Sequence, residues 1–417
     1  MKSYLNGVLN DIPLNTTDIP QHELNIANKF RSNPLPWKGQ FSPQLIEVLV
    51  SKYAPNSQHI LDPFLGSGTT LLEAGLLGLE ATGVELNPAA VVLARTYEFC
   101  NILAEERSDA IKIVSKALNT NKALIQPFLT NDIAPSRPIE VKQALLIIHG
   151  KLNGNILPKR LIETLIVLLD FYKDDVTSAK VQCEWLKIKK LIETLPYSNR
   201  KLTALQTDAR LIPVENGSVD FVITSPPYIN VFNYHQQYRA SIEALDHSVL
   251  KVAQSEIGSN RKHRGNRYLT VIQYCLDMAL VLNELQRICK KDARLIFVVG
   301  RESSVRKTPF FNAEIVAEIA MKAIRLNSPF RQERVFTNRF GQSIYEDILH
   351  FSVTNSHNDR SIILDAARIV ASETLLRAKE IAPEESKKDL NDAINSVNNI
   401  EPSPYFQNNI FQKELAA

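Results

Sequence analysis

Hydrophobic and polar positions in the first hundred residues follow an order that predicts a βαβ unit. The segment 58–99 begins with a short apolar run ending at Asp62, passes through a glycine-containing loop into a helical pattern, and returns to an apolar run at 81–86. A second helical pattern begins at Pro88. Strand, loop, helix, strand and helix in this order predict two parallel strands joined by a crossover helix.

The residues before this unit divide into an irregular part and a helix. Residues 1–40 are polar and rich in turn-forming residues, which predicts an ordered but irregular lead-in. The following stretch, FSPQLIEVLVSKYAP at 41–55, predicts a helix with Ser42 as its N-cap and Pro43 at its first position.

The strand pattern disappears between about residue 100 and residue 200. The stretches RLIETLIVLLDFYKDD at 160–175 and KVQCEWLKIKKLIETL at 180–195 both place apolar residues three and four apart. This is the period of an amphipathic helix, so we expect a helical insertion that packs as its own core or as an interface.

Strand patterns return after residue 200, so the predicted sheet lies on both sides of the insertion. They are LTALQTDAR at 202–210, SVDFVITS at 218–225, ARLIFVVGR at 293–301 and a hairpin at 333–353. The last sixty residues predict two amphipathic helices followed by a loosely ordered end.

Composition narrows the class of protein without identifying it. Among 417 residues, 44% are hydrophobic and 22% are charged, as in soluble globular proteins, and the net charge of +3 decides little about nucleic-acid binding. The four cysteines form no CxxC pair, so we expect neither a zinc site nor disulfides. The start of the chain lacks the pattern of a signal peptide, and no apolar run approaches membrane-spanning length, so we expect a cytoplasmic protein.

The loop DPFLGSGTT at 62–70 has the composition of a cofactor cradle. Asp62 ends an apolar strand, while Gly66 and Gly68 leave the loop without side chains before a helix begins at Thr69. Backbone N–H groups and a carboxylate therefore face one space. Glycine turns after strands also occur for packing reasons alone, so the loop needs support from other residues.

Two acidic residues at later strand ends provide that support. Glu85 ends the second strand, where a carboxylate can accept hydrogen bonds from both hydroxyls of a ribose; a solvent-facing cap of the next helix is the alternative. Asp208 could accept from the amine of an adenine ring, or could simply form a turn. No lysine follows the glycines and no third glycine completes a dinucleotide fingerprint, which favours a nucleoside cofactor without phosphates.

The stretch ITSPPYIN at 223–230 places two prolines and an aromatic ring directly after a strand. Proline lacks an N–H group and restricts the residue before it, so Ser225, Pro226, Pro227 and Tyr228 should form a stiff corner. The Ser225 hydroxyl and the Pro226 carbonyl could hold both N–H groups of an exocyclic amine. Tyr228 offers a surface on which an extruded base could stack. A proline-rich surface turn is the alternative interpretation.

These motifs together resemble the amino-methylating DNA methyltransferases that use S-adenosylmethionine. The resemblance rests on DPFLGSGTT, GVELNP, TDAR and VDFVITSPPY, in this order, and spans most of residues 30–355. It implies a Rossmann-like class I methyltransferase sheet with a helical insertion and a helical C-terminal extension. It adds Phe41 and Ser42, ahead of the glycine loop, and Phe64 as neighbours of the methionine end of the cofactor. The residues expected at the cofactor are then Phe41, Ser42, Asp62, Phe64, Gly66, Gly68, Thr69, Glu85 and Asp208.

The resemblance also implies a domain organisation. We expect the lead-in and the cofactor half in residues 1–99, the insertion in 100–200, the catalytic half in 201–355 and the helical extension in 356–417. Relatives usually carry sequence recognition in an inserted region, which assigns target recognition to 100–200 as a hypothesis. The charge there comes from Lys151, Lys159, Arg160, Lys187, Lys189 and Lys190.

Serine at the corner is more typical of cytosine-N4 enzymes, whereas Asp or Asn is more typical of adenine-N6 enzymes. We therefore expect methylation of cytosine N4, with adenine N6 as the alternative. Methylation at ring carbon 5 requires a cysteine nucleophile, typically after a proline, and none of the four cysteines follows one.

Double-stranded DNA is the expected partner, with a cognate restriction endonuclease as a further expectation. The loop NRKHRGNRY at 260–268 predicts phosphate contacts by Arg261, Lys262, Arg264 and Arg267, although a solvated charged loop is the common alternative. Nearer the corner, the residues that could line the base pocket or enter the groove are Tyr234, His235, Gln236 and Arg239.

Three other functions fit the sequence less well. An RNA methyltransferase would often carry an RNA-binding module near its start, and residues 1–30 are too short for one. A regulator with a decayed site is disfavoured by intact Asp62, Glu85, Ser225 and Tyr228. A nuclease would need more than the string Glu385-Ser386-Lys387 in a polar helical tail.

Overall fold

The computed structural model describes residues 7–54, 59–124, 137–229, 233–259, 263–338, 341–354 and 359–406. Nine strands are present in this part of the chain: β1 His59–Asp62, β2 Glu80–Glu85, β3 Leu202–Gln206, β4 Val219–Thr224, β5 Cys289–Gly300, β6 Glu302–Val305, β7 Thr308–Phe311, β8 Asn327–Thr337 and β9 Ser343–Ser352. Seven of them form one sheet in the order β3-β2-β1-β4-β5-β9-β8, and β6 pairs with β7 in a separate hairpin.

The α-helices in the described residues are α1 Gln21–Leu24, α2 Pro43–Tyr53, α3 Thr69–Leu77, α4 Pro88–Arg95, α5 Ala104–Thr120, α6 Pro138–Lys151, α7 Ile156–Leu169, α8 Ser178–Thr194, α9 Arg239–Ala244, α10 Val249–Ser255, α11 Leu269–Ile288, α12 Asn312–Glu318, α13 Arg360–Ile381 and α14 Glu384–Asn395. Short 3₁₀ turns cover Val8–Asn10, Thr96–Asn101, Lys122–Leu124, Tyr234–Gln236 and Val397–Asn399, and Ile319–Ala323 is π-helical.

The large sheet has the Rossmann-like arrangement that the sequence predicted. The strands β3, β2, β1, β4 and β5 are parallel, whereas β9 runs antiparallel to both β5 and β8. From β1 the chain proceeds outward through β2 to β3, then returns to β4 on the other side of β1. The strand order therefore reverses between β1 and β4, and an open α/β sheet binds ligands outside the carboxyl ends of strands at this point.

Alternate residues along the central strands face two hydrophobic layers. Ile60, Ile223 and Ile296 join one apolar cluster, whereas their neighbours Leu61 and Val222 join the other. The first layer contains α2, α3 and α4, and the second contains α11, α12 and α13. Helices on both faces explain why these strands consist of nearly continuous apolar runs.

The insertion is helical throughout its described part and shares a core with the first layer. Residues from its helices, such as Val114, Leu165 and Trp185, belong to the same buried cluster as Tyr97 and Phe99, which follow α4. The insertion therefore packs on the methyltransferase-like sheet through a continuous apolar interior and not around a separate core.

Several local predictions are confirmed. The helix at 43–53 has Ser42 at its N-cap and Pro43 at its first position, although the Ser42 side chain makes no capping hydrogen bond. The predicted hairpin is β8 with β9, and the two predicted C-terminal helices are α13 and α14. Among the helices of the described residues, none combines the length and apolarity needed to cross a membrane.

Candidate active site

The carboxyl ends of β1 and β4 are joined by a buried carboxylate. Asp62 Oδ1 accepts hydrogen bonds from Thr224 Oγ1 at 2.7 Å and from the Phe64 N–H at 3.0 Å, and Oδ2 accepts from Thr70 Oγ1 at 2.6 Å. Burial raises the pKa of Asp62 to about 6, against the effect of these hydrogen bonds. Asp62 thus holds two strand ends and the start of α3 together at the point where the strand order reverses.

The two glycines of the loop after β1 have different structural roles. Gly66 has φ 56°, and its N–H donates to Glu85 Oε2 at 2.9 Å, so the loop is tied to the end of β2. Gly68 has φ 94°, and a Cβ there would lie 2.8 Å from the Ala94 Cα and from Tyr97 Cδ2. The second glycine therefore permits close packing of α3 against the end of α4, while the first faces the cavity.

Glu85 forms a fixed acceptor at the end of β2. Besides the Gly66 N–H, its carboxylate accepts from the N–H groups of Leu86 and Asn87, both at 2.8 Å. Desolvation raises the pKa of Glu85 to about 7 despite these three donors. A carboxylate offers roughly four acceptor positions, so one remains on Glu85 for a ribose hydroxyl.

Asp208 lies at the same cavity, but its carboxylate is engaged within the chain. Its Oδ1 accepts from the Arg210 backbone N–H at 3.0 Å and from Nε at 2.9 Å. Its Oδ2 accepts from Arg210 Nη2 at 2.7 Å and from the Phe406 N–H at 3.0 Å. Because these four donors fill the usual capacity of a carboxylate, the predicted contact to an adenine amine stays a prediction and would compete with this network.

The glycine loop and the Ser-Pro-Pro-Tyr corner line one cavity. Six of the residues expected at the cofactor line it: Phe41, Asp62, Phe64, Gly66, Glu85 and Asp208. Ser225 and Pro227 line it from the corner. The described lining residues do not include Ser42, Gly68 or Thr69, and Thr69 Oγ1 instead donates to Asn33 Oδ1 at 2.9 Å.

Sequence reasoning missed several residues of this cavity. They are Trp37, Asn87, Ala209, Glu256 and Ile257, and they come from four separate segments of the chain. Asn87 and Ala209 lie within the stretches GVELNP and TDAR but had no predicted role, whereas Trp37, Glu256 and Ile257 carry no local motif. Only the tertiary fold brings the five residues together. Trp37, Ala209 and Ile257 give the cavity apolar walls, and Glu85 and Asp62 supply carboxylates to it. This combination suits a nucleoside with an amino-acid tail.

A second, open cavity of about 2120 Å³ adjoins the first on the other side of the corner. The two share five lining residues: Gly39, Gln40, Phe41, Ser225 and Tyr234. The corner contributes Pro226 and Tyr228 to the second cavity, and the far strands of the sheet contribute Arg334, Phe336 and Glu346. Ser225 therefore lies where the two spaces meet.

Tyr228 is held against the backbone of β5. A Cβ on Gly300 would lie 2.8 Å from Tyr228 Cε2 and 3.0 Å from Cζ, so the ring occupies the space that a side chain at Gly300 would fill. The Tyr228 hydroxyl lies 3.5 Å from Ser225 Oγ. Burial raises the Tyr228 pKa well above its ordinary value, which keeps the phenol protonated.

The residues after the corner take different positions. Tyr234 lines both cavities. His235 is buried, and Glu256 accepts from its backbone N–H at 2.7 Å and lies 2.6 Å from its Nδ1, which fixes the chain beside the cavity. Arg239 donates to Glu243 at 2.8 Å on the surface of α9.

The basic residues predicted to contact DNA are only partly described. Arg261 and Lys262 lie outside the described residues, whereas Arg264 and Arg267 are exposed in the following turn. Asn266, between them, donates to the backbone carbonyl of Asp389, which anchors this turn to α14. In the insertion, Arg160 pairs with Glu98 at 2.8 Å and Lys187 with Glu184 at 2.7 Å, so these two charges are engaged within the chain.

Comparison with known proteins agrees with this geometry. Residues 15–96, which contain the glycine loop and Glu85, match a DNA methylase family model that covers both N4 and N6 enzymes. The chain is 21% identical to the type II methyltransferase M.MjaII of Methanocaldococcus jannaschii, over 75% of this chain and 79% of the relative. It is also 21% identical to the type II methyltransferase M.BsoBI of Geobacillus stearothermophilus, over 72% and 81% of the two chains.

Solved structures superpose on the chain only loosely. A SAM-dependent methyltransferase of Methanosarcina mazei gives a TM-score of 0.33 at 11% identity, covering 74% of this chain and 98% of the other. The rRNA methyltransferase aviRa of Streptomyces viridochromogenes gives 0.29 at 11% identity, covering 85% and 96%. Scores this low establish neither substrate nor site.

The fold, the cavity and the family match support an amino-methylating DNA methyltransferase whose cofactor is S-adenosylmethionine. The donor set agrees with this cofactor, since the cavity combines a glycine loop, a fixed carboxylate and apolar walls. In the described part of the chain, no group of three or more His, Cys, Asp or Glu side chains is arranged to hold a metal ion.

Proposed function

We propose that this chain transfers a methyl group from S-adenosylmethionine to the N4 amine of a cytosine extruded from double-stranded DNA. The observation that carries the proposal is the position of Ser225, which lines both the cavity containing Gly66 and Glu85 and the adjoining cavity containing Tyr228. A methyl donor in the first space and a base in the second would meet at this side chain.

The first cavity would orient the cofactor through its fixed groups. Glu85 would accept from a ribose hydroxyl, the backbone of Gly66 permits close approach, and Phe41 and Phe64 would contact the methionine end. S-adenosylmethionine supplies a methyl carbon on a positively charged sulfur, which becomes a neutral thioether when a nitrogen takes the methyl group and gives up one of its two protons to solvent. The protein's contribution is the alignment of nitrogen and methyl carbon.

The corner would prepare the amine for attack. An exocyclic amine is a poor nucleophile because its lone pair is delocalised into the ring. Acceptors on both N–H groups, here the Ser225 hydroxyl and the Pro226 carbonyl, would favour the attacking geometry and stabilise the charge that develops on nitrogen. The two prolines restrict the corner and offer no competing N–H, and the Tyr228 ring is the stacking surface for the base.

The choice of cytosine over adenine rests on the serine at the first position of the corner. The family model that matches the chain covers both kinds of enzyme, so adenine N6 is the second candidate. Both bases present an amine beside a ring nitrogen, and the corner alone would accommodate either.

DNA would be held by the exposed Arg264 and Arg267, together with Arg261 and Lys262, which lie outside the described residues. The insertion helices are the proposed source of sequence recognition. Because the two curated relatives are type II methyltransferases, we propose that the protein works beside a cognate restriction endonuclease in the cytoplasm.

One experiment tests the reaction and the base together. Purified protein is incubated with methyl-labelled S-adenosylmethionine and mixed-sequence DNA, the DNA is digested, and the labelled nucleoside is identified. We expect N4-methylcytosine. Label in N6-methyladenine would overturn the cytosine assignment, and label only with RNA would overturn the substrate class.

The variant Ser225→Ala and a matched surface control separate the site from general damage. We expect Ser225→Ala to lower the rate at least about tenfold, because one acceptor for the amine is lost. Lys291→Ala removes an exposed charge at the start of β5, at the end of the sheet away from the corner, and should leave the rate unchanged.

A further inference from the structure

A row of side chains crosses three strands beside the corner. In the antiparallel pairing, Glu346 of β9 is the partner of both Gly300 of β5 and Arg334 of β8. Directly paired residues point to the same face of a sheet. Because the Tyr228 ring fills the space above Gly300, the ring, the Glu346 carboxylate and the Arg334 guanidinium lie on one face, in this order.

Arg334 is buried to more than nine-tenths and lines the second cavity. Its Nε lies 3.1 Å from Glu346 Oε2, and its guanidinium lies 4.7 Å from the centre of the Phe336 ring. Nevertheless, Nε makes no aligned hydrogen bond to Glu346, and Nη1 has no hydrogen-bond acceptor among the described residues. Burying the Nη1 donors without an acceptor is costly, so this arrangement points to an acceptor outside the described residues, and the cavity that Arg334 lines has room for one on a bound molecule.

Building on the proposed function, we infer that Arg334 reads the ring edge of the target cytosine. When the N4 amine is held at Ser225 and Pro226, the remaining polar edge of cytosine carries two acceptors, N3 and O2. The planar fork of a guanidinium matches two neighbouring acceptors, and stacking on Phe336 with the nearby Glu346 carboxylate fixes the plane of that fork.

The same edge of adenine fits this donor less well. Beside its N6 amine, adenine presents the N1 acceptor and then a C–H group, where cytosine has O2. One of the two Arg334 donors would face that C–H and remain unpaired. Arg334 therefore supplies a physical basis for cytosine selection that the corner by itself lacks.

A purely structural ion pair between Arg334 and Glu346 is the competing explanation. Such a pair would engage the guanidinium donors with good geometry, as Arg301 does with Asp347, where Nε and Nη2 donate at 3.0 and 2.9 Å. Arg334 makes no comparable hydrogen bond to Glu346 among the described residues, and it faces a cavity that reaches Ser225.

The test is a two-by-two comparison of enzyme and base. Methylated positions in mixed-sequence DNA are first located for the wild-type protein, and duplexes with a single target are then made with cytosine or 2-thiocytosine. Sulfur is a weak acceptor in place of O2 and leaves the N4 amine in position. Rates are measured for the wild type and for Arg334→Met, with Arg334→Lys as a charged variant of intermediate activity.

We expect Arg334→Met to lower kcat/KM for cytosine about 10–100-fold, the range for losing a bidentate contact. The wild type should be several-fold slower on 2-thiocytosine, whereas Arg334→Met should act on the two bases equally. Cofactor affinity by equilibrium dialysis should remain within about twofold, since Arg334 does not line the first cavity. Arg325→Met, at an exposed position just before β8 and at the end of the sheet away from the corner, is the control and should behave as wild type.

The role of Arg334 would be refuted if Arg334→Met had wild-type kinetics. It would also be refuted if replacing cytosine by 2-thiocytosine slowed the wild type and Arg334→Met by the same factor. That failure is distinct from failure of the proposed function, which would appear in the wild-type protein as labelled adenine or as no labelled DNA.

Discussion

Arg210 bridges two buried carboxylates: its Nη2 lies 2.7 Å from Asp208 Oδ2 and its Nη1 lies 2.6 Å from Asp277 Oδ1. The same guanidinium donates to the backbone carbonyls of Ser403 and Pro404, and the Phe406 N–H donates to Asp208. The C-terminal segment 401–406 is thereby attached to a residue that lines the first cavity. The wall of that cavity at Asp208 depends on a segment almost two hundred residues away in sequence.

Replacing Arg210 by alanine should destabilise the protein strongly. The substitution leaves Asp208 and Asp277 buried without their cation, which typically costs about 3–5 kcal/mol of the free energy of unfolding. Chemical denaturation measures this loss, and limited proteolysis should show faster cleavage near residues 401–406. The exposed control Lys112→Ala should change stability by less than about 0.5 kcal/mol. A loss no larger than that of the control would contradict the assigned role.

Cofactor affinity should increase with pH through the titration of Glu85. The pKa of this carboxyl is raised from 4.5 to about 7 in the free protein, and the ionised form is the stronger acceptor for a ribose hydroxyl. Binding therefore releases a proton, and we expect the affinity to rise about tenfold from pH 6 to pH 8. Calorimetry in buffers of different ionisation heat measures both quantities.

Whereas the affinity for the cofactor rises with pH, the contribution of Glu85 to the stability of the fold decreases with pH. Because the folded-state pKa lies above the unfolded value, this group's contribution to stability is present below pH 4.5 and is lost as pH rises to about 7. In Glu85→Gln the pH dependence of binding should be much weaker. An unchanged pH profile in that variant would assign the effect to another group, and Asp62 would be the first to examine.

Gly68→Ala should cost more stability than Gly78→Ala. Both glycines have positive φ, 94° and 67°, so both substitutions carry backbone strain of about 1–2 kcal/mol. Only at Gly68 would the new Cβ lie 2.8 Å from Ala94 and Tyr97; at Gly78 nothing lies within 4 Å. The difference in free energy of unfolding between the two variants isolates the close packing of α3 on α4. Equal losses would show that this contact relaxes without cost.

Gly300→Ala should impair methyl transfer while leaving the cofactor bound. The added methyl group would lie 2.8 Å from Tyr228 Cε2 and displace the ring on which the base is proposed to stack. We expect the rate to fall at least about tenfold, from the loss of roughly 1–3 kcal/mol of stacking, with little change in cofactor affinity. Gly150→Ala, where nothing lies within 4 Å, is the control. Normal activity of Gly300→Ala would separate Tyr228 from base binding.

Sequence reasoning predicted those parts of the fold that are encoded by neighbouring residues. The βαβ unit, the β8–β9 hairpin and the Gly66 loop each follow from residues close together in the chain. Arg334 and Glu346 carry no such pattern, because their position beside Tyr228 depends on the pairing of β5, β9 and β8. No local rule could connect them to a corner more than a hundred residues earlier.

Other differences have local causes that the pattern could not show. Helix α11 ends at Ile288 and β5 begins at Cys289, with no turn between them. The pairing of β5 with β4 is irregular near this start, where Asp292 has φ 63°. The carboxylate of Asp208, expected to accept from the adenine amine, also accepts from Arg210 and Phe406 within the chain. Their contribution could not be read from TDAR alone.

The continuous interior between the insertion helices and the sheet limits how new specificities can be made. Thr164 of the insertion and Thr96, after α4, share a buried hydrogen bond of 2.9 Å, and Trp185 packs in the same cluster as Phe99. Exchanging the insertion for that of a relative would cut through this shared interior and expose apolar surface on both sides. A chimera with an exchanged insertion would therefore also need the relative's residues on the contacting surface of α4. Otherwise the contact between α4 and the new helices would have to be redesigned.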